Sequence, residues 1–568
     1  MAFDALVAVA MLMLVVTVGI TSHRRGRRPV ERFAAGREVH WLPLGTSLAA
    51  SSTSADTPLL IAGAVYADGL AGNWFWWASA PGVLATLFFF SRLWRRSGVL
   101  TDVGILRLRY GNGMAASCLR CLRALLEGVV LNVLILASNG YALALVLEAM
   151  FERWNVASPA HAAVATIAAG FAGATIFVLF VGFRGLVRSG MTEFWLTVVA
   201  GIGFAIAAVS AIPGGLHGLQ ALVSGRSHAP ALSMVPTGGM MGPLLLLAVG
   251  WWHTAPGRGL LVQRLAAARD ERAALLTVGS FSVFHFVLRP WSWYLIGLAA
   301  LVYLPGRTGA ETALPRLAAT ILPSGLYGIL VAVTALAFTG CVTSRLNLGA
   351  SYLVNDVARV VAPHANETAL HRVEVGTAVF LAVVASSIVA TGSLTSIRTL
   401  YQFITVMLAG TGFVAIARWY WWRTSVVSEI ASLVTAVIGA VLALLLLDLS
   451  EPEAFVAATA INFAMGGATS IAFAMFGPPT SASVLRRFHE TIAPEGPGWR
   501  PFSGLAGRGG LRRTGLKWLL ANGALFAAIA ACARLISLRP VQALLFLLFA
   551  ALLMAAVYRL RRSSLPQG

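Results

Sequence analysis

The chain reads as an all-α polytopic membrane protein, and three observations predict that class. Of its 568 residues, 58% are hydrophobic and only 11% charged, too few polar groups to clothe a water-facing globule. Apolar runs of about 20 residues, the length of a bilayer-spanning helix, recur from end to end. The basic residues gather beside those runs, as RRGRR from Arg24, RLWRR from Arg92, LRRTGLK from Leu511 and RLRR from Arg559. A net charge of +20 distributed in that way orients spans and meets anionic lipid headgroups; it does not describe a nucleic-acid surface. The four cysteines, Cys118, Cys121, Cys341 and Cys532, form no disulfide framework and read as packing residues.

Taken in order, the apolar runs predict about fifteen helices. They lie near residues 3–21, 43–67, 73–95, 121–149, 160–183, 190–212, 240–264, 273–304, 326–355, 373–392, 397–420, 427–448, 454–476, 514–536 and 540–558. In the first, the charges follow the apolar stretch, so it is a retained span with its N-terminus outside and not a cleaved signal. Alternation then places the arginine-rich connections (22–41, 92–120, 184–188, 264–272, 359–372, 418–423, 486–517 and 559 onward) in the cytoplasm, together with the C-terminus. The opposite connections, such as YADGLAGN and DLSEPE, are acidic or neutral. The longest cytoplasmic connection, rich in Gly, Pro and Arg, is expected along the inner headgroups.

Two of these helices are interrupted. AASSTSADTP, ending at Pro58, sets hydroxyls, the acid Asp56 and a helix breaker inside the second span. WWHTAPGRGLLVQR, from Trp251 to Arg264, does the same in the seventh. Backbone freed in hydrocarbon must be buried in protein or line a wet cavity. Interrupted segments five spans apart cross in opposite directions, the pattern of a secondary transporter's central site. Asp56 is expected in a hydrated cavity there, binding a cationic or hydroxyl-bearing group with Thr57 beside it; Trp251, Trp252 and His253 line the other break.

ERFAAGREVHWLPLGTSLAASSTSADT, GAVYADG, GVLTDVGILRLRYG, LLVQRLAAARDE and LNLGASYLVNDV resemble, in order and place, the sodium/solute symporter family, in a less characterised bacterial branch. The resemblance runs from Glu31 to about Trp422. It implies the leucine-transporter-type fold, five plus five inverted helices with one extra before and about four after. The corresponding divisions are 1–42, an N-terminal span and basic loop; 43–212 and 213–422, the two repeats; and 423–568, peripheral helices. It also implies a bacterial inner-membrane transporter, not an enzyme, whose partners are a small polar solute and lipid, with Tyr401 and Gln402 lining the cavity.

By the same resemblance, sodium is held by the carbonyls of Ala50, Thr53 and Ala337, by two hydroxyls whose positions are Gly340 and Cys341, and near an aspartate whose position is Gly190. The three side-chain ligands are thus missing, and glycine and a thiol do not replace hard oxygen ligands. Arg345, four residues beyond Cys341, and Arg188, two before Gly190, are candidate surrogate cations. Arg345 has a second reading, snorkelling to the cytoplasmic surface and pairing with Asp356. Sodium symport, proton coupling through Asp56, Glu193 or His253, and ion-independent transport therefore all stand, as does a transporter-derived sensor or scaffold. No cofactor other than Na+ or H+ is implied. Glu127 and Glu193 read as proton relays or headgroup contacts, Arg289 as structural, and Trp74, Trp76 and Trp77 as an interface belt.

Overall fold

A computed structural model describes residues 2–22, 29–224, 231–304, 309–503 and 510–562. The described residues form helices and turns, with one isolated parallel bridge between Val39 and Ala268. Among the described residues, eleven helices are long and apolar enough to cross a membrane, which fits the all-helical membrane class read from the sequence. Eight helices position the site: α1 (Trp41–Ser51), α2 (Asp56–Asp68), α3 (Leu131–Arg153), α4 (Pro159–Ser210), α5 (Leu260–Ala267), α6 (Pro290–Tyr303), α7 (Leu326–Tyr352) and α8 (Ile397–Gly410).

The first interruption falls between α1 and α2. Pro58 sits in the first turn of α2, where an N–H has no helical acceptor, so the ring costs no hydrogen bond there. The chain opens just ahead of it, at residues 52–55, and its backbone is satisfied by protein. Asn139 of α3 accepts from the Ala55 N–H at 2.8 Å and donates to the Phe338 carbonyl of α7 at 3.1 Å. One amide side chain thus ties the break to two other helices. In the second interruption the chain leaves the helix Met241–Val249, turns through Gly257 (φ 79) and Gly259 (φ 53), and re-enters as α5. Those left-handed angles favour glycine. The loop's carbonyls are taken up by the neighbouring segment, where Thr86 donates to Ala255 at 2.7 Å and the Trp94 indole donates to Pro256.

Two connections differ from expectation. The expected loop 184–188 is already helix: α4 runs 52 residues and turns at one residue, Gly182 (φ 66). The segment following residue 478 does not lie on headgroups alone. Its helix Ala482–Ile492 buries Leu485, Phe488 and Ile492 against the protein, and Phe488 and Trp499 stack against the fully buried guanidinium of Arg109. The tryptophans read as an interface belt also turn inward in part. Trp77 is 1% exposed and donates to the Tyr294 hydroxyl at 2.9 Å.

Candidate functional site

Asp56 opens α2, so its carboxylate meets the positive end of a helix. It is 0% exposed, and hydroxyls surround it. One oxygen accepts from Ser54 and, at 3.3 Å, from Thr57. The other accepts from Ser138 of α3 at 2.7 Å and from Tyr401 of α8 at 2.9 Å. In place of the open cavity expected here, the carboxylate is enclosed by four hydroxyls, two from the break itself, one from α3 and one from α8. Each lone-pair direction of the carboxylate has a donor, so its burial leaves no acceptor unsatisfied. Tyr401 and Thr57, both candidate solute contacts, bond to Asp56. Gln402, the next residue, is buried with its side-chain carbonyl unpartnered.

On the arginine-rich side of the break lies a guanidinium that the sequence reading passed over. Arg264 of α5 is 0% exposed and donates to Ser51 of α1 at 2.9 Å and to Ser344 of α7 at 3.2 Å. Its other arm reaches Gln263 at 2.9 Å, which holds Asn347 at 2.8 Å. The plane lies 5.2 Å from the Phe183 ring centre. Arg264 thus links both halves of the broken-helix system to α7 by charge-assisted bonds. Its signal was the QR of LLVQRLAAARDE, an arginine in an apolar context.

Of the positions expected to hold sodium, Thr53 and Ala337 share the wall of one cavity, and Ala50, Gly190, Gly340 and Cys341 do not line it. Thr53, Ala337 and Arg289 line one cavity of about 40 Å³, together with Thr197 of α4. The Thr53 hydroxyl is buried with no partner. Gly190 packs on Ser47 of α1; a Cβ there stands 3.0 Å from the serine oxygen, so this glycine serves close approach. At Gly340 a Cβ lands 1.9 Å from a carboxylate oxygen of Glu193. Glu193 is 1% exposed and its other oxygen has no partner, which corrects the headgroup reading. Arg289 is more than structural filler at the start of α6: it donates to the Ala49 carbonyl at 3.0 Å and to Thr197.

Three further expectations are corrected. Arg188 is exposed, because a residue two positions from Gly190 points to the opposite helix face, whereas Glu193, three positions on, shares it. Arg345 does not pair with Asp356. That carboxylate, 0% exposed, binds Arg120 at 2.7 Å and accepts from Thr101. Arg345 stays half-buried, with its Nε unpartnered and its charge felt by Cys341 and Tyr401. His253 lines a cavity of about 40 Å³ with Asp102, Glu127, Arg258 and Arg418, and Asp56 is not in its wall. There Glu127 pairs with Arg258, at the second break, and stands 3.8 Å from Arg123. Glu429 holds Arg123 at 3.5 Å and Arg418 at 3.2 Å. Trp251 stacks on Trp252 at 5.1 Å and packs on Trp518, so the indoles brace the break against a C-terminal helix.

The family model described as the sodium:solute symporter family matches residues 33–426. Among curated relatives, a sodium/glucose cotransporter 4 of Danio rerio is 26% identical over 442 residues, covering 68% of this chain and 62% of the relative. A sodium/mannose cotransporter of Bos taurus is 26% identical over 398 residues, 65% of each. The chain therefore matches somewhat less than two thirds of these relatives' length. A solved sodium-coupled sialic acid symporter, substrate-bound and outward-open, superposes with a TM-score of 0.68 at 16% identity, over 84% of this chain and 99% of that one. That likeness is one of fold.

Proposed function

The chain belongs to the sodium:solute symporter family, and from that premise we propose that it carries a small hydroxyl-bearing solute across the membrane by alternating access, with sodium as the coupling ion. The observation that carries the reading is the Asp56 carboxylate and its four hydroxyl donors at the first helix break. A polyol offers the same donors as Ser138 and Tyr401. It can therefore take their place without leaving the carboxylate unpaired, which keeps the cost of opening the enclosure low. The relatives named for glucose and mannose cotransport carry solutes of that class.

In this account the two breaks, in halves 43–212 and 213–422, are the moving joints, and Arg264 and the Glu127–Arg258 pair hold the arginine-rich side shut. That side faces the cytoplasm of a bacterial inner membrane, with the N-terminus outside. Tyr401 and Thr57 orient the solute at Asp56; Gln402, with its free carbonyl, is the next candidate contact. Trp251, Trp252 and His253 act on the joint. For sodium, the Ala50, Thr53 and Ala337 carbonyls remain the backbone ligands, and the orphaned Thr53 hydroxyl is an oxygen of the right hardness beside them. A second reading, ion-independent transport, draws on Arg345, whose half-buried guanidinium stands near Cys341.

The test is thermal unfolding of the purified full chain against a panel of hexoses, hexitols and inositols, with amino acids as controls. A ligand at about a hundred times its dissociation constant stabilises by roughly 2.7 kcal/mol. Stabilisation by at least one polyol, lost in Asp56→Asn, supports the reading. Stabilisation by amino acids and by no polyol overturns it.

A further inference from the structure

We infer that the groove between the N-terminal helix (Ala2–Thr21), α4 and α7 binds one anionic phospholipid, with an acyl chain in the groove and the phosphate on Arg188. The N-terminal helix is pinned near both ends. At one, the Asp4 carboxylate accepts from the backbone N–H groups of Gly325 and Gly328, at 2.5 and 3.0 Å, where α7 begins. At the other it lies backbone to backbone on α4: a Cβ at Gly185 would stand 2.7 Å from the Gly19 carbonyl oxygen. Between these contacts the three helices stand apart around about 620 Å³, inside the range of roughly 300–1,000 Å³ usual for ligand pockets. The wall is apolar. Met11 comes from the N-terminal helix, Met191, Trp195 and Val199 from α4, and Leu326 and Ile329 from α7, with Thr192 the one hydroxyl.

Shape and charge choose the occupant. Trp195 and Val199 are 44% and 67% exposed, so the groove opens sideways, toward the hydrocarbon in which such helices sit. Water finds too few polar partners on this wall to be held there. From Met191 to Gly203, both in the wall, α4 rises about 18 Å, close to the roughly 15 Å of hydrocarbon in one leaflet. One acyl chain therefore spans it. Residues 188, 192, 195 and 199 follow one another at helical spacing, which sets Arg188 one turn beyond Thr192 at the arginine-rich end of the groove. Arg188 is exposed and no ion pair holds it among the described residues, whereas Arg184, one turn further, is taken by Glu38 at 3.3 Å. A guanidinium left free at the mouth of an apolar groove suits the planar, two-point recognition of a phosphate, and it stands where anionic headgroups gather. Phe204 and Leu330 line this groove and also the small cavity at Thr53, Ala55 and Pro58. The acyl chain thus lies one layer of side chains from the first helix break, where it braces α4 against α7.

The experiment needs no solute and no ion gradient, so its outcome is independent of the proposed transport. The full chain is purified, stripped of lipid in a neutral detergent, and its melting temperature titrated with three probes: phosphatidylglycerol, phosphatidylcholine of the same acyl chains, and the tail-free headgroup glycerophosphoglycerol. For wild type, phosphatidylglycerol should act at a midpoint about five- to tenfold below that of phosphatidylcholine, the effect of one arginine on one anionic headgroup. The tail-free headgroup should leave the melting temperature unchanged. Arg188→Gln should bring phosphatidylglycerol to the phosphatidylcholine midpoint. Gly203→Leu, at a helix position where a Cβ meets nothing within 4 Å, fills the groove and should weaken both lipids. Should Gly203→Leu fail to fold, Arg188→Gln alone decides. Equal midpoints for the two lipids in wild type overturn the inference, as does an unchanged phosphatidylglycerol midpoint in Arg188→Gln or in a folded Gly203→Leu. Stabilisation by the tail-free headgroup would assign Arg188 to a soluble phosphate and overturn the acyl-chain site.

Discussion

Tyr401→Phe removes one of the four donors to Asp56 and nothing else of comparable size. The lost bond is an O–H to a fully buried carboxylate at 2.9 Å, a charge-assisted contact of about 1.5–3 kcal/mol. The lower end applies, because the same oxygen keeps Ser138 at 2.7 Å and the other keeps Ser54 and Thr57. We therefore expect a loss of about 1.5 kcal/mol. Since α8 reaches Asp56 through this hydroxyl, the loss should disappear once the charge is gone. A double-mutant cycle of Tyr401→Phe with Asp56→Asn, read by thermal unfolding in detergent, should give a coupling of about 1–2 kcal/mol. Additivity within about 0.5 kcal/mol would refute the claim that Tyr401 acts on the carboxylate, and with it the exchange of this hydroxyl for one from a solute.

Two further predictions concern the arginine-rich side. Glu127→Gln breaks its pair with Arg258, whose side chain is 24% exposed and so partly rehydrates, while Arg123 keeps Glu429. The opening equilibrium should shift about ten- to a hundredfold, seen as faster alkylation of a cysteine placed at Ala415 in a background without the native thiols; an unchanged rate refutes the gate. Asp102 lies in the connection after Arg96, and burial, with Glu127 nearby, raises its carboxyl to about 6. The folded state then holds that proton more tightly than the unfolded state, so this group's contribution to stability falls as pH rises through about 4 to 6 and recovers on acidification. The melting temperature of wild type minus that of Asp102→Asn should therefore rise from pH 7 to pH 5, and parallel curves would contradict the assignment.

Much of this was legible in the sequence because membrane helices make polar residues conspicuous. Asp56 and Pro58 inside an apolar run, and Pro256 with its flanking glycines, mark the two breaks by composition alone. What pairs with what was not legible. Asn139 and Ser138 are unremarkable residues in a long helix, and their contacts to the Ala55 amide and to Asp56 depend on how α3 crosses α2. Arg188 was misjudged because sequence proximity to Gly190 stood in for helix phase. Glu193 was legible as an intramembrane acid, but its fit to Gly340 is a relation across two helices about 150 residues apart, which no local pattern carries. Arg264 was visible as a motif letter and became a site residue only when Ser51 and Ser344 were found around it.

The central claim is that Asp56 exchanges protein hydroxyls for those of a solute. Uptake of labelled glucose, mannose and myo-inositol into proteoliposomes under an inward sodium gradient tests it most directly, with wild type and Asp56→Asn compared at equal incorporation. The account predicts accumulation of at least one of them by wild type and about a hundredfold less by Asp56→Asn, the loss expected from removing a charged acceptor of two solute hydroxyls. Equal uptake by the two proteins would contradict it.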